Sequence, residues 1–152
     1  MALGNVVSYN QFPGILVRDA EPQWDDAVVG TFMWGLVTAS YVPSGNHTTA
    51  ADLGANIITA GGGAPVNVTG RTVVDILPDS YLQANNADFG TITVTSKYLV
   101  CFRPITPGVY AATAKLCFYV DLNVGAGLSL SVTATPFIIN QPTNGWIRLT
   151  KS

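Results

Sequence analysis

The residues able to do chemistry are few. His47 is the only histidine, and Cys101 and Cys117 lie far from it in sequence. A structural zinc site takes its ligands from Cys and His at short, recognisable spacings, and no such spacing links these three, so no metal ligand set is read here. General acid and base work requires two carboxylates facing a cleft. The adjacent pair Asp25-Asp26 instead precedes a strand that begins at Ala27, which is the place of a solvated turn. No Gly-x-Ser-x-Gly elbow is present to raise a nucleophilic serine. The glycine run AGGGAP at 60–65 lacks the Lys and Ser or Thr that a phosphate-cradling loop needs directly behind its glycines, and reads as a surface loop. The sequons Asn46-His47-Thr48 and Asn67-Val68-Thr69 are about as many as chance supplies. The chain is therefore read as no enzyme, with no cofactor and no metal. Cys101 and Cys117 fall on two runs predicted to be neighbouring strands, so a bridge is conceivable if those strands pair. A reducing cytosol would keep both as free, buried, apolar thiols.

The elements that must carry these residues are strands. In TITVTSKYLVCFRP, Ile92, Val94, Tyr98, Val100 and Phe102 alternate with Thr91, Thr93, Thr95, Lys97, Cys101 and Arg103, with Ser96 the one polar residue on the inward parity. Period two over such a length is the signature of a sheet with one face on a core. KLCFYVDL continues it, Leu116, Phe118, Val120 and Leu122 on one parity and Lys115, Cys117, Tyr119 and Asp121 on the other, and the two runs predict a hairpin with a long tip. GLSLSVTA alternates again, and the short runs PFIIN and GWIRLT are separated by the turn-forming QPTNG. NVVSYN and GILVR are short strand candidates near the start, and VNVTGRTVVDIL holds one or two more. The one helical signal is NHTTAADLG, where Asn46 or Thr48 would cap and Gly54 would terminate. Many short strands with Gly, Pro and Asn turns and one short helix predict an all-β antiparallel sandwich, of jelly-roll or immunoglobulin-like type.

One run breaks the alternation. From Ala27 to Val37, within WDDAVVGTFMWGLVTASYVP, nearly every side chain is apolar. A strand of this kind needs cover on both faces. Phe32, Trp34 and Leu36 are expected to face the sandwich interior, and Met33 and Val37 a second layer or a neighbouring subunit, where aromatic residues and Met are over-represented.

Composition narrows the function class. Charged residues are 11% of the 152, against roughly 25% in typical soluble proteins, while apolar residues are 48%. Little charge is left to keep uncovered apolar patches apart in water, which favours a surface partly hidden by other subunits. The seven basic residues are scattered and the formal charge is −2, so no basic stripe exists for a nucleic-acid backbone. No apolar run reaches the roughly 20 residues of a membrane helix, and the start MALGNVVSYN has neither a charged nor an apolar signal region. Synthesis in the cytosol without standard secretion is expected, with no nucleic-acid and no membrane partner.

In order and spacing these residues resemble a family of small structural proteins of tailed-bacteriophage virions. That family has an acidic W-D start, a strand of the type VALLTSSYTP, an H…DL turn, a Gly-rich stretch before G(K/R)TVT, then ANNAVF, ARYAVIY, VDFG and a closing ITLT. The counterparts here are Trp24-Asp25-Asp26, GLVTASYVP, His47 with Asp52-Leu53, TAGGGAP before TGRTVVDI, QANNADF, ITVTSKYLVCF, KLCFYVDLN and WIRLT, from about residue 24 to 150 in unbroken order. The first 23 residues and the PGVYAATA tip match the family poorly. The resemblance implies a capsid cement or decoration subunit, sitting as an oligomer, often a trimer, on the outside of the virion at junctions of the major capsid protein. Some relatives belong instead to the tail. On the cement reading, residues 1–23 form an extended N-terminal arm that adds strands to a neighbour's sheet edge, Phe12 and Trp24 are its buried anchors, and residues 24–152 form the β-sandwich domain. Met33, Val37 and Tyr110 complete the interface candidates. On the rival reading, a tail or fibre module for surface glycan, Tyr41, Tyr81 and Tyr110 form a sugar-stacking platform.

Overall fold

The computed structural model describes residues 6–12, 23–25, 28, 31–60, 62–76, 79–123, 129–143 and 145–150. Ten strands follow in order: β1 Val6–Ser8, β2 Met33–Val37, β3 Val66–Asn67, β4 Thr72–Ile76, β5 Asp79–Gln83, β6 Ala87–Ser96, β7 Tyr98–Arg103, β8 Lys115–Asp121, β9 Leu130–Ile139 and β10 Ile147–Thr150. They form a five-stranded sheet in the order β1-β8-β7-β2-β3, a three-stranded sheet β10-β5-β4 and a two-stranded sheet β6-β9. The strand pairings are antiparallel. The fold is all-β and sandwich-like.

β2 explains the architecture. Met33 and Trp34 pair with Phe102 and Cys101 of β7, and the same two residues pair with β3 on the other side. With period two, Phe32, Trp34 and Leu36 fall in one core, together with Phe118 and Val120 of β8, Leu82 of β5, Ile92 of β6 and Phe137 of β9. Met33 and Val37 fall in a second core on the opposite face, with Tyr9, Tyr41, Leu53, Val100, Phe102 and Leu116. The unbroken apolar run is therefore covered on both sides by its own chain. The first core lies between the large sheet and the two smaller ones. The second lies under the short 3₁₀ helix Ala50–Asn56, the segment around Tyr41 and the stretch before β8. Gly35 is what lets this second layer close: a Cβ there would stand 2.8 Å from Phe102 Cε1, so a side chain would displace the ring that lies across β2.

Rings make up much of the first core. Phe118 stands edge-on to Phe12 at 5.5 Å and to Trp34 at 5.6 Å between centroids, and the Trp24 ring lies 6.1 Å away. Trp34 in turn meets Trp146 at 4.6 Å. Such tilted and edge-on pairs add to simple area burial because ring edges and faces carry opposite partial charge.

Several expectations are corrected. TITVTSKYLVCFRP is not one strand but two, β6 and β7, in different sheets. The break is at Lys97, whose N–H donates to Val37 O at 2.8 Å and whose carbonyl accepts Leu122 N–H at 2.8 Å. Its ammonium pairs with Asp121 Oδ1 at 2.9 Å and donates to Asn123 O, which holds the chain where it leaves one sheet for the other. Before the break only one face is buried and alternation survives; after it β7 is central and buried on both faces. The parity read for β8 also shifts. Cys101 pairs with Phe118 but Phe102 pairs with Leu116, so Cys117 is an extra, bulged residue. Cys117 and Phe118 therefore both enter the first core and Leu116 turns to the second. The hairpin of β7 and β8 with a long tip is present.

GLSLSVTA and PFIIN, read as separate runs, belong to one strand over their described part, β9, which crosses Pro136. A Pro is tolerated there because each strand of a two-stranded sheet has a free edge. Ala134 takes a φ of 47°, and it separates Val132 from Phe137 and Ile139, which lie on opposite parities yet pack on the same core. DSYLQ was missed as a strand, since its only large apolar residue is Leu82. It is β5, held between β4 and β10, with Asp79 bound by Arg148 at 2.8 and 2.7 Å. The short helix starts later than read. Thr49 is its N-cap, with the Asp52 carboxylate taking the Thr49 N–H, and Gly54, non-helical with φ 57°, interrupts it as expected, a further short turn following to Asn56.

The described part of the expected arm, Val6–Phe12, belongs to the body of the fold. β1 is an edge strand on β8, Tyr9 lies in the second core and Phe12 in the first. The expected strand GILVR, the start of the apolar run at Ala27, Asp26 and Leu128 lie outside the described residues.

Candidate functional site

The proposed interface residues are mostly interior. Phe12 is 2% exposed, Trp24 1%, Met33 4% and Val37 0%. Of the two covers weighed for Met33 and Val37, the chain supplies the second layer itself. Tyr110 is half-buried, its ring 5.4 Å from Phe102 and edge-on to it.

Phe12 and Trp24 nonetheless border a surface feature. Trp24 is fixed by its indole N–H, which donates to Gln83 O at 2.8 Å. Beside it a mostly apolar groove of about 430 Å³ is lined by Phe12, Trp24, Val73, Leu82, Ile147 and Leu149, with the polar Ser8, Gln23, Asp25 and Arg148 completing it. β1 ends one edge of the five-stranded sheet and β10 one edge of the three-stranded sheet, and both line this groove. An edge strand presents unpaired N–H and C=O groups, so among the described residues the groove combines apolar walls with backbone hydrogen-bonding capacity. Val73 and Leu149 leave 40% and 37% of their surface in water.

The sugar-stacking platform is not assembled. Tyr41 is buried in the second core, with Tyr110 packed against that core from outside. Tyr81 sits on β5, in the sheet that covers the first core, on the other side of the central sheet. Planar stacking requires rings open to solvent on one surface, and these three do not share one.

His47 belongs to a hydrogen-bond chain that sequence spacing did not reveal. Its Nδ1 lies 2.7 Å from Tyr41 Oη, which lies 3.0 Å from Tyr9 Oη. Burial, followed by the contact with Tyr41, pushes the Tyr9 phenol far above its usual range, and burial also raises Tyr41. Near the outer end, Asp52 Oδ2 accepts the N–H groups of Thr49 and Thr48 at 2.9 and 2.7 Å, which holds its carboxyl below the ordinary carboxylate range. This is a structural tether between the N-terminal residues and the helix-bearing segment. No open cleft adjoins it among the cavities described.

Cys101 and Cys117 are free thiols, fully buried in the first core, and Cys117 Sγ donates to Lys115 O at 3.7 Å. Burial, then the neighbouring thiol, raises Cys101 well above the ordinary thiol range. Asp25 is exposed, as a solvated turn requires. Among the described residues no group of three or more His, Cys, Asp or Glu side chains is placed to hold a metal ion, and no helix is long and apolar enough to cross a membrane. No family model matches this chain, and no curated protein or solved structure matches it either.

Proposed function

We propose that this chain is a structural subunit of a bacteriophage particle, a cement or decoration protein that binds the outside of the major capsid lattice, as a trimer, and stabilises it. The role is binding rather than catalysis. The observation that carries the reading furthest is the apolar groove between the β1 and β10 edges, bordered by Phe12 and Trp24, in a chain whose ionic residues are only 11% of the total. An extended apolar segment of a capsid subunit fits that chemistry. It would add main-chain hydrogen bonds to a free edge while its side chains enter the groove. Stabilisation then follows from mass action: a subunit that binds only the mature lattice lowers that lattice's free energy by its own binding free energy, and symmetric repetition multiplies modest contacts.

The test is to add the purified protein to shells that lack it. Saturable binding and a rise in the temperature at which the shells open are expected. Leu149→Asp, which places a charge in the groove without touching either core, should abolish binding while the protein stays folded. No binding, or binding that leaves heat resistance unchanged, overturns the reading.

A further inference from the structure

A second depression, of about 530 Å³, opens where the start of β6 meets the end of β9, and it shares no lining residue with the apolar groove. Asn85, Asn86, Asp88, Ile138 and Gln141 form its wall, with Thr69 beside them. Asn85, Gln141 and Asp88 are each held by one end, and Asn86 by both. Asn85 Nδ2 donates to Thr69 Oγ1 at 3.1 Å, Asn86 Nδ2 donates to Asn140 Oδ1 at 3.0 Å, and Asn86 Oδ1 accepts Gln141 N–H at 2.9 Å. Gln141 Oε1 accepts Ala84 N–H at 2.6 Å, and Asp88 Oδ1 accepts Gly90 N–H at 2.8 Å. Asn85 Oδ1, Gln141 Nε2 and Asp88 Oδ2 are left without a hydrogen-bond partner among the described residues. Asp88 and Ile138 are directly opposed across the β6–β9 ladder, so a carboxylate and a 46% exposed aliphatic side chain stand next to each other on one face.

The ligand class follows from these groups. Amides and a carboxylate offer donors and acceptors on one wall, the pattern that matches neighbouring hydroxyls, and Ile138 offers an apolar surface for the C–H face of a ring. Among the described residues no Lys or Arg lines the depression and Asp88 is a carboxylate, so phosphate, sulfate and carboxylate ligands are disfavoured. No aromatic side chain among the described residues lines it, so a nucleobase has nothing there to stack on. The volume lies within the roughly 300–1,000 Å³ of small-ligand sites. Side chains already held by hydrogen bonds lose little rotamer freedom when a ligand arrives.

We propose that this depression is a binding site for a neutral saccharide. The proposal is independent of the particle reading, since it uses a different surface and different residues. It is tested on the full chain by ¹⁵N-edited NMR, following the side-chain amide signals of Asn85, Asn86 and Gln141 while maltotriose, tri-N-acetylchitotriose, methyl mannoside, a sialylated trisaccharide and an unstructured neutral peptide are added in turn. At least one neutral sugar should move those signals saturably. Asn85→Ala should weaken that sugar by about tenfold. Asp88→Asn, which keeps the bond to Gly90 N–H and so guards against simple misfolding, should also weaken it, and Leu149→Asp in the apolar groove should leave it unchanged. The proposal is overturned if no neutral sugar moves the signals up to millimolar concentration, if affinity survives both variants, or if the sialylated sugar or the peptide binds there more tightly.

Discussion

The hydroxyls of Tyr9 and Tyr41 meet at 3.0 Å inside the second core, thirty-two positions apart in the chain. A phenol has one proton to give, so the arrangement has a direction when His47 is neutral and accepts at Nδ1: Tyr41 donates to His47 and Tyr9 donates to Tyr41. Through this one contact the residues after β1 are tied to the segment that roofs the central sheet. Both rings also take part in the aromatic packing of that face, Tyr9 with Tyr119 at 5.5 Å and Tyr41 edge-on to Tyr98 at 6.1 Å.

This pair makes the fold sensitive to alkali. Because the folded Tyr9 phenol titrates far above its unfolded value of about 10, its contribution is intact below that pH and is lost as pH rises beyond it, when only the unfolded chain can ionise. Denaturant midpoints should begin to fall above about pH 8.5, where the Cys101 thiol ionises in the unfolded chain but not in the folded one, and fall more steeply above about 10, with Tyr9 alone adding a slope of about 1.4 kcal/mol per pH unit. Tyr9→Phe should make that limb shallower, at a cost of about 1 kcal/mol at neutral pH, while buried Cys101 and Tyr41 keep part of it. An unchanged alkaline limb in this variant would count against the assignment.

The two thiols should be invisible to reagents in the native state. Cys101 and Cys117 have no exposed surface, and burial disfavours the reactive thiolate. At pH 8, labelling by an aromatic disulfide should proceed only at the rate of unfolding, and two equivalents should react at once in denaturant. Fast native labelling of either thiol would mean that the β7–β8 region opens locally.

Ala134 holds a left-handed backbone conformation with φ 47°. That costs a residue with a Cβ roughly 1–2 kcal/mol, and glycine avoids it while adding about 0.5–1 kcal/mol of unfolded-state freedom. Ala134→Gly should therefore stabilise by up to about 1 kcal/mol, raising Tm by about 2–4 °C. A drop in Tm measured by calorimetry would contradict the strain.

Lys97 is the charged group whose loss should matter most. Its side chain is 5% exposed and its partner Asp121 29%, so Lys97→Ala leaves a carboxylate only partly reached by water. The expected loss is on the order of 2 kcal/mol, below the roughly 3–5 kcal/mol of a fully buried pair because Asp121 is partly solvated. Lys97→Met with Asp121→Leu should recover most of it, and urea denaturation of the three chains checks both statements.

What the residues determine by themselves is the local part. Alternation in the 91–96 and 118–122 stretches and the split of Met33 and Val37 from Phe32, Trp34 and Leu36 follow from period two, which needs only neighbours along the chain. The tertiary structure decided the rest. Lys97 becomes a sheet-to-sheet crossing only because Val37 O, Leu122 N–H and Asp121 come to it from distant positions. The extra residue at Cys117, the strand made of Asp79 to Gln83, the Tyr9–Tyr41–His47 chain and both surface depressions likewise depend on partners that sequence order does not bring together. Period two says which way a side chain points from its own strand. It carries no information about what stands opposite, and it is the opposing groups that turn an apolar face into a core and a row of amides into a site.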